Sequence, residues 1–455
     1  MDIENNIFYK LIFMKRTSSL LALLVAASTF FAGAQELEVN YDKSKIRPFT
    51  LEDPLTFVDG TKVKTEADWT NRRLEILDIF QKEMYGQCPA KPDTVILETI
   101  EEGNTLMGFA HRKQIRMYFR PDKSGPFITW LILTPNAFKG PRPTVLMLNY
   151  NGNQEILADK EIEIPQITIF QDKEPFKEES RGALTNPNQR NIVPANMILA
   201  RGYAYVTACY EEISPDPDPA ASYERKRELQ DEYAYTRIFD LWPKRDPSRT
   251  DNTTSLMAWA WGLMRGMDMI ERLPELDQQR VLLTGYSRLG KAALIAGAFD
   301  QRFPIVVPNQ TGGGGIPLAK HFYGENVNTE IHSFTHWYCR GYDKYAENED
   351  ALPFDQHLFV SCIAPRAFLC EGFDEPWYDT ESEFICLQNA SKVWEFLGRE
   401  GLPKVSFPDD YDTKAIGFNL GYVRRDLEHG ISAQDWQWML DFSDRYIKEH
   451  INAQR

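Results

Sequence analysis

The sequence predicts an α/β fold: a three-layer sandwich around a mostly parallel sheet, with long insertions over the sheet's carboxyl edge. Three observations predict it. Short apolar runs, bounded by Pro, Asn and Gly, recur along the chain, and runs of that kind suit strands buried on both faces. Helical patterns separate them, so successive strands need crossover connections. One such run leads directly into a glycine-flanked serine and then into a helix, which is how a parallel sheet presents a nucleophile.

The elements follow in order. Lys10, Lys15 and Arg16 precede an apolar stretch, Leu20 to Phe31, and then Ala32-Gly33-Ala34. A basic start, a short apolar core and a small-x-small ending read as a secretory signal peptide over 1–34, with Met14 a candidate start. The stretch is shorter than the roughly 20 residues of a spanning helix, and no Cys follows it to carry a lipid. The expectation is a periplasmic or secreted protein cleaved near Ala34, with 35–455 forming a single domain and no membrane span. Trp69–Met84 reads as an amphipathic helix. Strands are expected at Phe127–Thr134, Pro143–Tyr150, Tyr203–Ala208, Arg280–Thr284, Phe303–Val307 and Arg366–Cys370. Helices are expected at Ser255–Leu273, Leu289–Ala298 and Gln388–Leu397, with a charged one over Asp441–Ile451 and a start near Ala433. The Met stripe of the first (Met257, Met264, Met267) has core spacing. Glu211–Asn252 and Gly312–Asp355 break the alternation and read as insertions above the carboxyl edge, where such folds carry function.

Composition limits the function. The 455 residues carry a formal charge of −15, with 43% apolar and 26% charged side chains. That is globular, and too acidic for a protein that must displace counterions from nucleic acid. Aromatics are abundant (10 Trp, 20 Tyr, 27 Phe), enough to serve both a core and a sugar-binding face. Six cysteines are too sparse for a disulfide scaffold, though one or two bridges suit an oxidising compartment. His332 and His336 lack a third ligand nearby, and no Cys/His cluster suggests a metal.

The chemistry concentrates at Gly285-Tyr286-Ser287-Arg288-Leu289-Gly290. A serine at a sharp strand-to-helix turn is pushed out of the sheet, and the helix start offers free N–H groups to an oxyanion. A serine nucleophile needs a histidine later in the chain. Of seven histidines, only His429 and His450 lie past the last strong strands. His450 belongs to a charged helix; His429, in a polar turn, is the candidate general base. Asp374 and Glu375 both follow the strand ending at Cys370, and either can orient the imidazole.

These residues, with Asn309-Gln310-Thr311 and Gly312–Gly315, Glu325, His336-Trp337, Leu352–His357, Ala364-Pro365-Arg366 and Trp377, resemble the bacterial glucuronoyl esterases of carbohydrate esterase family 15. The resemblance spans about Pro54 to Tyr446. It implies an α/β-hydrolase fold and cofactor-free hydrolysis of esters of (4-O-methyl-)glucuronic acid, as in lignin–carbohydrate or glucuronoxylan linkages, through an acyl-enzyme. By this resemblance Ser287 is the nucleophile, His429 the base and Arg288 an oxyanion stabiliser. Lys291, Glu325 and Trp377 face the uronate, with Trp337 a second sugar-facing candidate. Two departures stand out. Gln310 occupies a position where some members carry the triad glutamate, which moves the expected acid to Glu375, with Asp374 as the alternative. Tyr286 replaces a cysteine of many members, removing a bridge to the turn before His429.

The expected function is a monomeric serine esterase of polysaccharide degradation, with a glucuronic-acid-containing glycan or its ester as partner. Two rivals remain: an acetyl-glycan esterase of the acetylxylan type on the same fold, and a catalytically silent carbohydrate-binding relative.

Overall fold

The computed structural model describes residues 38–165, 167, 177–217, 233–408, 411, 416–426 and 428–451. The expected leader over 1–34 and the His450 side chain lie outside them. From Glu38 onward the chain clusters into one unit, built on a single ten-stranded sheet.

Its strands are β1 (Ile96–Thr105), β2 (Ala110–Tyr118), β3 (Phe127–Pro135), β4 (Arg142–Asn149), β5 (Ala204–Cys209), β6 (Leu276–Tyr286), β7 (Ile305–Asn309), β8 (Ala367–Phe373), β9 (Ile416–Gly417) and β10 (Leu420–Arg425). They are ordered β1-β2-β3-β5-β4-β6-β7-β8-β10-β9. The run β5-β4-β6-β7-β8-β10 is parallel, and the two ends are antiparallel.

Alternate residues of the parallel strands feed two separate cores. Leu146, Val206, Leu283 and Val306 belong to one, and Val145, Tyr205, Leu282 and Ile305 to the other. That alternation explains the continuous apolar runs, because both strand faces are covered. The first core takes α1 (Glu66–Phe80), α2 (Ser255–Ile270), α3 (Arg288–Phe299) and α4 (Thr380–Phe396). The second takes Ala195–Ala200 and α5 (Ala433–Tyr446). This is the three-layer α/β-hydrolase architecture.

Every residue of α2 is buried, so its Met stripe is core. Helix α1 begins before Trp69 because Thr65 and Asp68 cap each other reciprocally. The same device, Ser432 with Asp435, starts α5 at Ala433. Strands β1 and β2 escape the apolar-run signal because their burial is mixed and charged pairs such as Arg112 with Glu101 (2.8 Å) support them. All six cysteines are unpaired, so the bridges allowed by the sequence do not form. Among the described residues no helix is long and apolar enough to cross a membrane.

The connections fix where a site can form. From β4 the chain moves to β5 on one side, while β6 lies on β4's other side. The sheet thus has a topological switch point at β4 and β6, where loops diverge and leave a crevice at the strand ends. Ser287 stands at the end of β6.

Candidate active site

Ser287 links β6 to α3 with φ +56° and ψ −132°, a strained backbone for a side chain bearing Cβ. Its N–H donates to Asn309 O (3.0 Å) and its carbonyl accepts from Lys291 N (3.0 Å). The flanking glycines are steric requirements. A Cβ on Gly285 would lie 2.3 Å from Leu289 O, and one on Gly290 would lie 2.7 Å from Asn309 O. The G-x-S-x-x-G spacing thus lets the turn close against β7.

His429 follows β10 and is half-buried among aromatic rings: Tyr378 at 4.8 Å, Phe373 at 5.7 Å and Tyr286 at 6.0 Å between centroids. Arg425 braces its turn by donating to Glu428 O (3.2 Å) and Gly430 O (3.3 Å). Arg425 is itself held by buried Asp435 at 2.6 Å. Burial, and then the charges of Arg190, Arg425, Lys291 and Arg288, push the imidazole down to about 3. It is therefore neutral, as a general base must be.

The expected acid is not what meets it. His429 Nδ1 lies 3.0 Å from Gln310 Oε1. Asp374 is drawn off to Arg424 (2.6 Å) and Tyr411 (2.8 Å). Glu375 is exposed where the chain leaves β8 for the Pro376–Tyr378 turn, with no hydrogen bond to His429 among the described residues. The geometry gives the orienting contact to an amide because Gln310 follows β7 directly and points at the His429 turn.

Arg288 carries the first α3 peptide. Its guanidinium pairs with Asp216 and lies 4.9 Å from the Trp337 ring. Asp216 is buried and also accepts from Tyr210 Oη (2.9 Å) and Trp337 Nε1 (3.0 Å), with His336 Nε2 at 2.8 Å. Burial opposes its charge, but Arg288 and these hydrogen bonds hold the carboxyl well below the usual carboxylate range. His336 is thus a structural partner of Asp216. No group of His, Cys, Asp and Glu suited to a metal occurs among the described residues.

One turn along α3, Lys291 is 4% exposed and its Nζ lies 3.9 Å from Glu325 Oε2, also 4% exposed. Burial pushes the ammonium down and the Glu325 carboxyl up, each partly offset by the other. Glu325 N donates to Trp377 O (2.9 Å), which joins Trp377 to this group. The glycine run makes room: a Cβ on Gly312 would come 2.8 Å from Glu325 Oε2, and one on Gly313 would come 2.5 Å from Glu330 Oε1. Trp337 is 2% exposed and lies under Lys291 (5.3 Å) and beside Phe334 (4.0 Å). It is a floor beneath the cations, not an open sugar platform.

The structure therefore brings Ser287, Arg288 and Lys291 onto one turn of α3, with Glu325 beside Lys291, Trp377 tied to Glu325 through the main chain, and His429 held by Gln310. Sequence reasoning missed Asp216 and Tyr210. A groove of about 910 Å³ lined by Gln87, Lys91, Arg120, Trp242, Arg249 and Thr253 contains none of these residues.

Comparisons with known proteins point the same way. A family model described as glucuronyl esterase of fungi matches residues 212–398. Carbohydrate esterase MZ0003, from an unknown prokaryotic organism, is 32% identical over 448 residues, covering 95% of this chain and 99% of that one. The 4-O-methyl-glucuronoyl methylesterase of Cerrena unicolor is 28% identical over 79% of this chain and 63% of its own length. A solved promiscuous esterase of carbohydrate esterase family 15, from a marine bacterial metagenome, superposes with a TM-score of 0.77 at 32% identity. That match covers 90% of this chain and 100% of the other.

Proposed function

The chain belongs to the glucuronoyl esterases of carbohydrate esterase family 15, and from that premise we propose how its own residues hydrolyse an ester of glucuronic acid. The enzyme is a carboxylic ester hydrolase that acts on (4-O-methyl-)glucuronoyl esters. Ser287 Oγ attacks the ester carbonyl while His429 Nε2 takes its proton. The oxyanion forms at the start of α3, against the Arg288 guanidinium and the N-terminal peptide dipoles. His429 then returns its proton to the leaving alcohol. Water repeats the sequence on the glucuronoyl-serine and frees the acid.

Gln310 takes the orienting place beside Nδ1. It cannot supply a carboxylate's charge, but its oxygen can still select the Nδ1–H tautomer. Glu375 is the rival for this role, and its removal decides between them: with Gln310 orienting, Glu375→Ala retains turnover within about threefold. Lys291, Glu325 and Trp377 face the uronate ring, and Asp216 holds Arg288 in place.

The observation that carries the reading is the buried Lys291–Glu325 pair at 3.9 Å, one helical turn from Ser287. A buried cation with an acidic neighbour, poised to exchange partners, suits a sugar acid and its hydroxyls better than a bare acetyl group. The test is hydrolysis of benzyl or methyl glucuronate against acetylated xylan and p-nitrophenyl acetate. Preference for the acetyl substrates, abolished by Ser287→Ala, would establish the acetyl-esterase reading instead. Gln310 is also what makes a silent carbohydrate-binding relative worth testing: that protein would bind the glycan unchanged after Ser287→Ala and turn over no ester.

We place the enzyme outside the cytoplasm as a monomer, with 35–455 as its single domain after loss of 1–34. N-terminal sequencing of the exported protein and its sedimentation test this placement.

A further inference from the structure

We infer that Glu371 and Asn309 are positioning residues of this active site: with Gln310 they form a one-way hydrogen-bond relay that keeps the His429 proton on Nδ1. The inference rests on the assignment of His429 as the base of Ser287.

Asn309 and Glu371 are register partners on the parallel strands β7 and β8, so their side chains share one face of the sheet. Asn309 Nδ2 donates to Glu371 Oε2. Gln310 Nε2 donates to Asn309 Oδ1 at 2.8 Å and to Gly430 O at 2.5 Å. Gln310 Oε1 accepts from Gly430 N at 3.0 Å and faces His429 Nδ1 at 3.0 Å. Asn309, Gln310 and Glu371 are all fully buried.

The polarity of this chain is set at the Gly430 end, where one N–H and one carbonyl both meet the Gln310 amide. Turning the Gln310 amide over would set its NH2 against the Gly430 N–H and its oxygen against the Gly430 carbonyl. Turning Asn309 over would set its NH2 against the Gln310 NH2 and lose its donation to Glu371, a carboxyl that burial and then Asp435 push up. The Gln310 flip loses three buried hydrogen bonds and the Asn309 flip two, and each sets like groups face to face. An oxygen must therefore face Nδ1, so Nδ1 carries the proton and Nε2 keeps the lone pair a general base needs. The donations also run in series, so each strengthens the next acceptor.

The backbone supports the same purpose. Gln310 is held at φ +49°, unusual for a residue with a side chain, and its N–H is tied to Glu371 O at 3.1 Å. One residue of β8 thus fixes Gln310 directly through its main chain and, by way of Asn309, through its carboxyl group. The charged groups around Glu371 are Arg425 and Asp435, the pair that also braces the His429 turn.

A merely structural role, stitching β7 to β8, makes a different prediction. Glu371→Met and Asn309→Leu delete an acceptor at similar volume, whereas Glu371→Gln keeps an oxygen for Asn309. The relay predicts that the first two lower kcat on benzyl glucuronate about 10- to 100-fold, the size of a lost buried hydrogen bond. KM stays within about twofold, and Glu371→Gln recovers kcat to within about threefold. In the same folded proteins, 15N spectra of the His429 ring shift from the Nδ1–H form toward a mixture. The relay is overturned if Glu371→Met keeps kcat within threefold, or if kcat falls with the His429 spectrum unchanged. If Asn309→Leu does not fold, Glu371→Met decides alone. The ring spectrum needs no substrate, so it separates failure of the relay from failure of the glucuronate reading, which would show as a wild-type protein inert on the ester.

Discussion

Replacing Gln310 with Glu puts a carboxylate where the base has only an amide, and its consequences can be worked through. In the wild type the His429 ring is pushed down to about 3, by burial first and by four surrounding cations next. Because kcat/KM needs the neutral ring, activity is lost only as pH falls through that value, so the acid side of the profile stays flat to about pH 4. A charge 3.0 Å from Nδ1 favours imidazolium by about 5 kcal/mol at an effective dielectric constant near 20. Desolvating the new carboxylate and losing the donations to Asn309 and Gly430 remove about half of that. The remainder, about 2–3 kcal/mol, raises the imidazole by about two pH units. The acid limb therefore moves from about 3 to about 5. The same interaction stabilises the imidazolium formed during proton transfer, so kcat near pH 7 rises about tenfold. The assay is kcat/KM for benzyl glucuronate across the pH range. An acid limb unmoved in Gln310→Glu refutes the reasoning, as does a wild-type limb already near 6, which would mean that a carboxylate such as Glu375 reaches His429.

Three further outcomes follow from the geometry. Lys291→Met removes the buried cation beside Ser287 and should lower the ratio of glucuronate to p-nitrophenyl acetate turnover about 10- to 100-fold, read from paired kcat/KM values. Asp216→Asn frees the Arg288 guanidinium and should lower both kcat, about tenfold or more, and urea stability, by about 2–4 kcal/mol. Since Asp216 is held below the usual carboxylate range, its contribution is present above about pH 4 and fades as pH falls from there. The stability difference between wild type and variant should therefore shrink on the acid side. Gly290→Ala forces a Cβ to 2.7 Å from Asn309 O, so a lower melting temperature and a lower kcat should appear together, with a cost of about 2–4 kcal/mol.

The parallel strands and the helices between them were legible because burial on both faces leaves a continuous apolar signature, as in Val281-Leu282-Leu283. The nucleophile turn was legible because its glycines answer to contacts below 3 Å. Strands β1 and β2 were not, since antiparallel edges mix apolar and charged residues and read like loops. Charge and spacing pointed to Glu375 beside the histidine, but which side chain reaches Nδ1 depends on where β7 and β10 end in space. Asp216 sits in an Asp- and Pro-rich insertion with no local signal; its partners among the described residues include Tyr210, Arg288, His336 and Trp337, up to 121 residues away. Asn309 and Glu371 looked like ordinary strand ends, and only the β7–β8 register makes them neighbours.

The central claim is that Ser287 and His429 act as one unit on a glucuronate ester. It is tested most directly by benzyl glucuronate hydrolysis in Ser287→Ala, His429→Ala and the double variant. Each single change should lower kcat by about 10³-fold or more, and the double variant should be no worse than either. Losses that multiply in the double variant, or turnover by Ser287→Ala within about tenfold of wild type, would contradict it.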